Sequence, residues 1–108
     1  MSYDISLVID TGSSEPVEVV EVGNYTSNVA PMWQWALGVR LRDYDGVPCD
    51  RALAPLRDGI RRMQAAPDFY RPLTTNPEWG DYEGALNFLV KLTDACEANP
   101  KCTIEIDS

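Results

Sequence analysis

Two stretches, Tyr3-Asp-Ile-Ser-Leu-Val-Ile-Asp10 and Lys101-Cys-Thr-Ile-Glu-Ile-Asp107, decide how this chain folds. In the first, Tyr3, Ile5, Leu7 and Ile9 fall on one face and mostly polar residues on the other, the period of a half-buried strand. In the second, Cys102, Ile104 and Ile106 repeat that alternation. Strands from both ends of the sequence therefore belong to one sheet, most simply with the last beside the first.

The residues between them supply the remaining elements. Thr11-Gly-Ser-Ser-Glu-Pro16 has turn chemistry, and Val17 to Val22 predicts a returning strand. Val17 and Val19 share one phase while Val20 and Val22 share the other, a slip explained by a β-bulge or by burial of both faces. A polar run, Asn24-Tyr-Thr-Ser-Asn28, leads into a short helix with Ser27 or Asn28 as cap, Pro31 in its first turn and Gly38 at its end. Met32, Trp35 and Ala36 form one face of that helix and Trp33 and Leu37 another, so both tryptophans are expected to be covered. Beyond a loop with a turn at Asp45-Gly46, Asp50 is expected to cap a second helix reaching Ala66, with an apolar stripe of Cys49, Leu53, Leu56, Ile60 and Met63. Pro67 stops it, and Phe69 and Tyr70 tuck a connector onto the core. A third helix over 81–98 presents Tyr82, Leu86, Leu89, Leu92 and Cys96. The order β-β-α-α-α-β predicts one α+β domain over residues 1–108: a small antiparallel or mixed three-stranded sheet covered by helices on one face.

Composition narrows the function. Across 108 residues there is no histidine, and the three cysteines, Cys49, Cys96 and Cys102, match no metal or redox spacing. The usual nucleophile–base pairs and most zinc sites are thereby removed, so no catalytic residue, metal or cofactor is assigned and a non-enzyme is expected. The odd, widely spaced cysteines fit reduced thiols and a cytoplasmic setting, with Cys49 and Cys96 as small core residues. The sequence shows neither a secretory leader pattern nor an apolar run of membrane-spanning length. A formal net charge of −8, from 9 basic and 17 acidic side chains, disfavours direct binding to nucleic acid or to an anionic membrane. The arginines nevertheless cluster between Arg40 and Arg62, while Asp4, Asp10, Glu15, Glu18, Glu21, Glu105 and Asp107 crowd the two ends.

Hydrogen-bonding groups and aromatic rings concentrate in two segments. The first is Asn24-Tyr-Thr-Ser-Asn28, where Tyr25 can stack on a planar ring and Thr26 and Asn28 offer neutral donors and acceptors. The second is Trp79-Gly-Asp-Tyr-Glu-Gly84, whose glycines permit close approach of a ligand or a partner backbone. Glu83 and Asn87, one helical turn apart, share a face apt for reading a base edge or ribose hydroxyls. Ordinary capping and turn formation account for the same residues.

These two runs, the first extended through Val29-Ala-Pro-Met-Trp33 and the second through Ala85-Leu86, together with Tyr3-Asp-Ile-Ser-Leu7, resemble a family of small acidic proteins of actinobacteria and their phages whose members carry no assigned function. The likeness takes in the Leu53-Ala-Pro-Leu56 helix and so covers nearly the whole chain. It implies a biological setting, in the host cytoplasm, and transfers no activity.

Two readings follow from these residues. In one, the protein captures a small polar ligand, such as a nucleotide-derived signal of host defence. Tyr25, Trp33, Trp79 and Tyr82 would stack, Thr26, Asn28, Asp81, Glu83 and Asn87 would read polar edges, and Arg40 or Arg42 would meet phosphate. In the other, it is an acidic inhibitor that blocks a basic surface of a host enzyme or nucleic-acid-binding protein. A carboxylate-dependent enzyme is a third reading, and Trp33 or Trp35 exposed on a short helix would suit a homodimer. The first reading needs convergent groups in a cavity, the second a continuous exposed negative face.

Overall fold

A computed structural model describes residues 2–12 and 14–108. Strands β1 (Ser2–Ile9), β2 (Val17–Thr26) and β3 (Thr103–Asp107) form one antiparallel sheet in the order β2-β1-β3, so the last strand does lie beside the first. The helices are α1 (Ala30–Leu37), α2 (Cys49–Ala65), a single turn α3 (Pro67–Tyr70) within the expected connector, and α4 (Tyr82–Ala98). The result is the expected α+β architecture with one short helix added.

The phase slip in β2 is two bulges. Ile5 pairs with Gly23 and Ser6 with Glu21, leaving Val22 extra; Leu7 pairs with Val20 and Val8 with Glu18, leaving Val19 extra. Each extra residue reverses the alternation. Between them they allow Val22 to be buried while Val17 and Val19 stay exposed. The strand also runs four residues beyond Val22, so Asn24, Tyr25 and Thr26 belong to the sheet, opposite Asp4, Tyr3 and Ser2.

The register divides the sheet by chemistry. On the helix-covered face Tyr25 lies opposite Tyr3, Gly23 and Ile106 flank Ile5, and Val20 and Ile104 flank Leu7. Tyr3, Ile5, Leu7 and Ile104 join the core with Trp33, Leu56, Met63, Phe88, Leu89 and Leu92. Trp33 is fully buried, edge-on to Tyr3 at 5.3 Å and 5.6 Å from Phe88. Truncating such a ring costs roughly 3–5 kcal/mol. Its neighbour Trp35 is 63% exposed, correcting the expectation that both tryptophans are covered. A two-layer domain offers α1 only one core to face, and the indole of Trp33 claims it.

Other local expectations shift slightly. Thr26, rather than Ser27 or Asn28, caps the chain's entry into α1, accepting from the N–H of Asn28 ahead of a 3₁₀ turn over Ser27–Val29. In α2 the N-cap is Pro48, with Asp50 in the first turn. The buried stripe of α2 is Cys49, Ala52, Leu56, Gly59 and Met63, with Leu53 and Ile60 only half-buried. Leu86 on α4 is likewise half-buried, its place inside taken by Ala85 and Phe88. Tyr70 is buried as expected, whereas Phe69 is 49% exposed and stands edge-on to Trp35 at 5.6 Å.

Candidate functional site

The two polar–aromatic segments do meet. The hydroxyl of Tyr25 accepts from the N–H of Asp81 at 3.3 Å. Asn28 binds the connector twice: its Oδ1 accepts from the hydroxyl of Thr75 at 2.6 Å and its carbonyl from the N–H of Thr75 at 3.4 Å. Asp81 caps α4, accepting from the N–H of Gly84 at 2.8 Å. The glycines serve this meeting of segments. A methyl group at Gly84 would sit 1.8 Å from Tyr25 Oη, and one at Gly80 would sit 2.3 Å from Thr26 Cγ2. The close approach that the glycines permit is made by the chain itself.

Most of the side chains expected to hold a ligand are engaged in structure. Tyr25 stacks on Phe88 at 5.8 Å, and the Trp33 indole N–H donates to the carbonyl of Ala85 at 3.1 Å. Tyr82 is 7% exposed and donates its hydroxyl to Met63 O at 2.6 Å. Thr26 accepts from the side chain of Asn28 at 2.8 Å. Glu83 accepts from Arg71 at 2.6 Å, and this guanidinium holds its carboxyl below the usual carboxylate range. The same guanidinium lies 4.8 Å over the ring of Tyr82, whose phenol is pushed up by burial. Asn87 and Trp79 are exposed, Trp79 to 70%. Arg40 pairs with Asp43 at 3.1 Å, and Arg42 donates to Ser108 Oγ at 3.0 Å. Arg42 and Ser27 also line a hollow of about 90 Å³ with Ser2, Tyr3 and Ser108. A groove of about 380 Å³, lined by Pro31, Gln34, Trp35 and Gly38, holds none of the residues expected to bind a ligand.

The other face of the sheet is a separate candidate. In the register, Asn24 and Asp107 flank Asp4, Glu21 and Glu105 flank Ser6, and Glu18 and Thr103 flank Val8. Five carboxylates, Asp4, Glu18, Glu21, Glu105 and Asp107, therefore share one face, and all five residues are exposed. No lysine or arginine occurs in any of the three strands. None of the four ion pairs among the described residues includes these carboxylates. Two of them accept hydrogen bonds from uncharged donors, which leave their charge in place: Ser6 Oγ donates to Glu18 at 2.7 Å and Asn24 Nδ2 to Asp4 at 2.9 Å. Neighbouring strands lie about 4.8 Å apart and alternate residues about 6.7 Å along a strand. Both spacings fall within the Debye length of about 8 Å at physiological salt, so the carboxylates act as one field. The sequence marked both ends of the chain as acidic; only the β1–β3 register brings those ends onto one face.

The described residues include no group of three or more His, Cys, Asp or Glu side chains placed to hold a metal ion. Cys49, Cys96 and Cys102 are all buried, and burial pushes the thiols of Cys49 and Cys96 up. No helix among the described residues is long and apolar enough to cross a membrane. Compared with family models, curated proteins and solved structures, the chain matches none.

Proposed function

We propose that this protein is a non-enzymatic interaction module whose exposed sheet face docks on a basic surface of another protein. The observation that carries this reading is the gathering of five exposed acidic residues, Asp4, Glu18, Glu21, Glu105 and Asp107, on one sheet face, with Asp4 and Asp107 directly paired across strands. Like charges opposite one another disfavour a sheet. A cationic surface laid over them reverses the sign of that interaction, so the bound state relieves repulsion present in the free one. Such a field also steers encounter and makes association fall with salt.

In the setting that the resemblance implies, the partner is a host protein in the cytoplasm whose basic groove otherwise takes nucleic acid. The module acts by occupying that groove. The test compares host proteins retained by the wild-type chain with those retained by a variant carrying Asp4→Asn, Glu18→Gln, Glu21→Gln, Glu105→Gln and Asp107→Asn. A partner held by the wild type at low salt, released at high salt and lost by the amide variant supports the reading. Its nucleic-acid binding should fall as the module is added. Equal retention by both proteins overturns it.

A second reading, capture of a small anion, is favoured by the hollow that brings Arg42 to Ser27 and Ser2. Its volume suits a single phosphate-sized group. A rise in melting temperature with inorganic phosphate or nucleotides, lost in Arg42→Ala, would support this reading; no shift would oppose it.

A further inference from the structure

We infer that the outer edge of β2 takes up a short basic segment of the partner as a fourth strand. This deepens the docking reading just given and rests on it.

The two edges of the sheet are treated differently. Along the outer edge of β3, the N–H of Ile104 donates to Val47 O at 2.9 Å and the N–H of Gly46 to Ile104 O at 2.8 Å. Pro48 bridges to Thr103, and the N–H of Ile106 donates to the carboxylate of Asp45 at 2.9 Å. That edge is sealed by residues 45–48. On the far side of β2, no backbone N–H or carbonyl of residues 17–24 bonds to anything beyond β1 among the described residues. An open edge presents the donors and acceptors that another strand needs.

Charge selects the occupant. A second copy pairing edge to edge would extend the sheet with its own Glu18 and Glu21, adding carboxylates to a face that already repels itself. A basic segment does the opposite: its alternate side chains would come within about 4.8 Å of Glu18 and Glu21 on the outer face. The remaining side chains would follow the phase of Val17 and Val20. Val17 and Val19, 49% and 47% exposed, offer apolar contact along this edge. Toward Gly23 the helix-covered side carries a cation, since a Cβ there would lie 3.2 Å from Lys91 Nζ. Basic residues of the incoming strand are therefore confined to the outer face. The bulges at Val19 and Val22 raise the local twist, which restricts the added strand to a few residues and deters extended self-stacking. The occupant is a short extended segment alternating Lys or Arg with Val, Ile or an aromatic residue.

The experiment titrates the full chain with a short capped peptide alternating lysine and valine, and with the same peptide N-methylated at alternate backbone nitrogens. Methylation keeps the charge and removes the strand donors. The expected result is binding of the parent peptide, loss of roughly tenfold or more in affinity on methylation, and slowed amide exchange confined to residues 17–24. Equal affinity for both peptides overturns strand addition and leaves the acidic face as a purely electrostatic dock. Binding of neither peptide also overturns it, while the five-amide variant still decides the face reading independently. Slow exchange of the same amides in a peptide-free dimer assigns the edge to a second copy and overturns the proposal as well.

Discussion

Replacing Gly84 with alanine should destabilise this protein, although most helical glycines gain from the same change. Helix propensity alone favours alanine by about 1 kcal/mol. Here the new methyl group would sit 1.8 Å from Tyr25 Oη and 2.5 Å from Tyr25 Cζ. Tyr25 is poorly placed to yield, because its ring stacks on Phe88 at 5.8 Å and its hydroxyl accepts from the N–H of Asp81. Overpacking of this kind costs about 1–3 kcal/mol, and the displaced hydrogen bond adds about 1 kcal/mol. Against the propensity gain, the net loss is about 1–3 kcal/mol, or roughly 5–20 °C in melting temperature for a domain of this size. Urea denaturation and scanning calorimetry measure both quantities. Repeating Gly84→Ala in a Tyr25→Phe background, where the nearest atom is gone, should recover at least about 0.5 kcal/mol of the loss. If Gly84→Ala stabilises the chain, or shows no coupling to Tyr25→Phe, the two segments do not interleave. The interior between them would then be open to a ligand, and the docking reading would lose its main advantage over ligand capture.

Three further outcomes follow from the geometry. Asp107→Lys turns the like-charge pair with Asp4 into an opposite-charge pair, so stability should rise by about 1 kcal/mol or less while affinity for a basic partner falls; an unchanged or tighter complex refutes the docking face. Because Arg71 lowers the pKa of Glu83, the stabilisation from that pair is present above the ordinary carboxylate value of about 4.3 and is lost as pH falls through the folded value. The gap in melting temperature between wild type and Glu83→Gln should therefore shrink on acidification, and a gap that widens contradicts the pairing. Cys49 and Cys96 have raised pKa values, so their contribution to stability is complete below the ordinary thiol value of about 8.5 and declines as pH rises beyond it. An aromatic disulfide reagent should label the native chain only at its opening rate, and rapid labelling of the folded protein would contradict the burial of its thiols.

What was legible in the sequence was whatever depends on local periodicity. Alternation in residues 3–9 and 102–106 marked the strands, and Asp81 correctly marked the start of α4. The stripe of α2 was misjudged because residue size, not apolarity, decides it. Ala52 and Gly59 are buried, and a methyl group at Gly59 would meet Leu37 Cδ2 at 2.7 Å, so α1 and α2 approach where side chains are smallest. Leu53 and Ile60 turn partly outward as a result. The candidate site divided in the same way. The content of residues 24–28 and 79–87 marked both segments as polar and aromatic, but whether they meet, and whether they then enclose a cavity or fill it, depends on contacts such as Gly84 to Tyr25 that no spacing rule encodes. The acidic face was harder still. Its carboxylates are scattered at both ends of the chain, and their adjacency depends on a register that two bulges displace.

The pairing of Asp4 with Asp107 joins residues nearly the whole chain apart. The β1–β2 hairpin can form locally, but β3 must travel back over all the helices to complete the sheet, a closure that is slow on entropic grounds. It also brings Glu105 and Asp107 into a region already occupied by Asp4, Glu18 and Glu21. The docking of β3 is thus opposed by electrostatic repulsion as well as by distance. Added salt, which weakens the finished face as a dock, should speed the step that builds it.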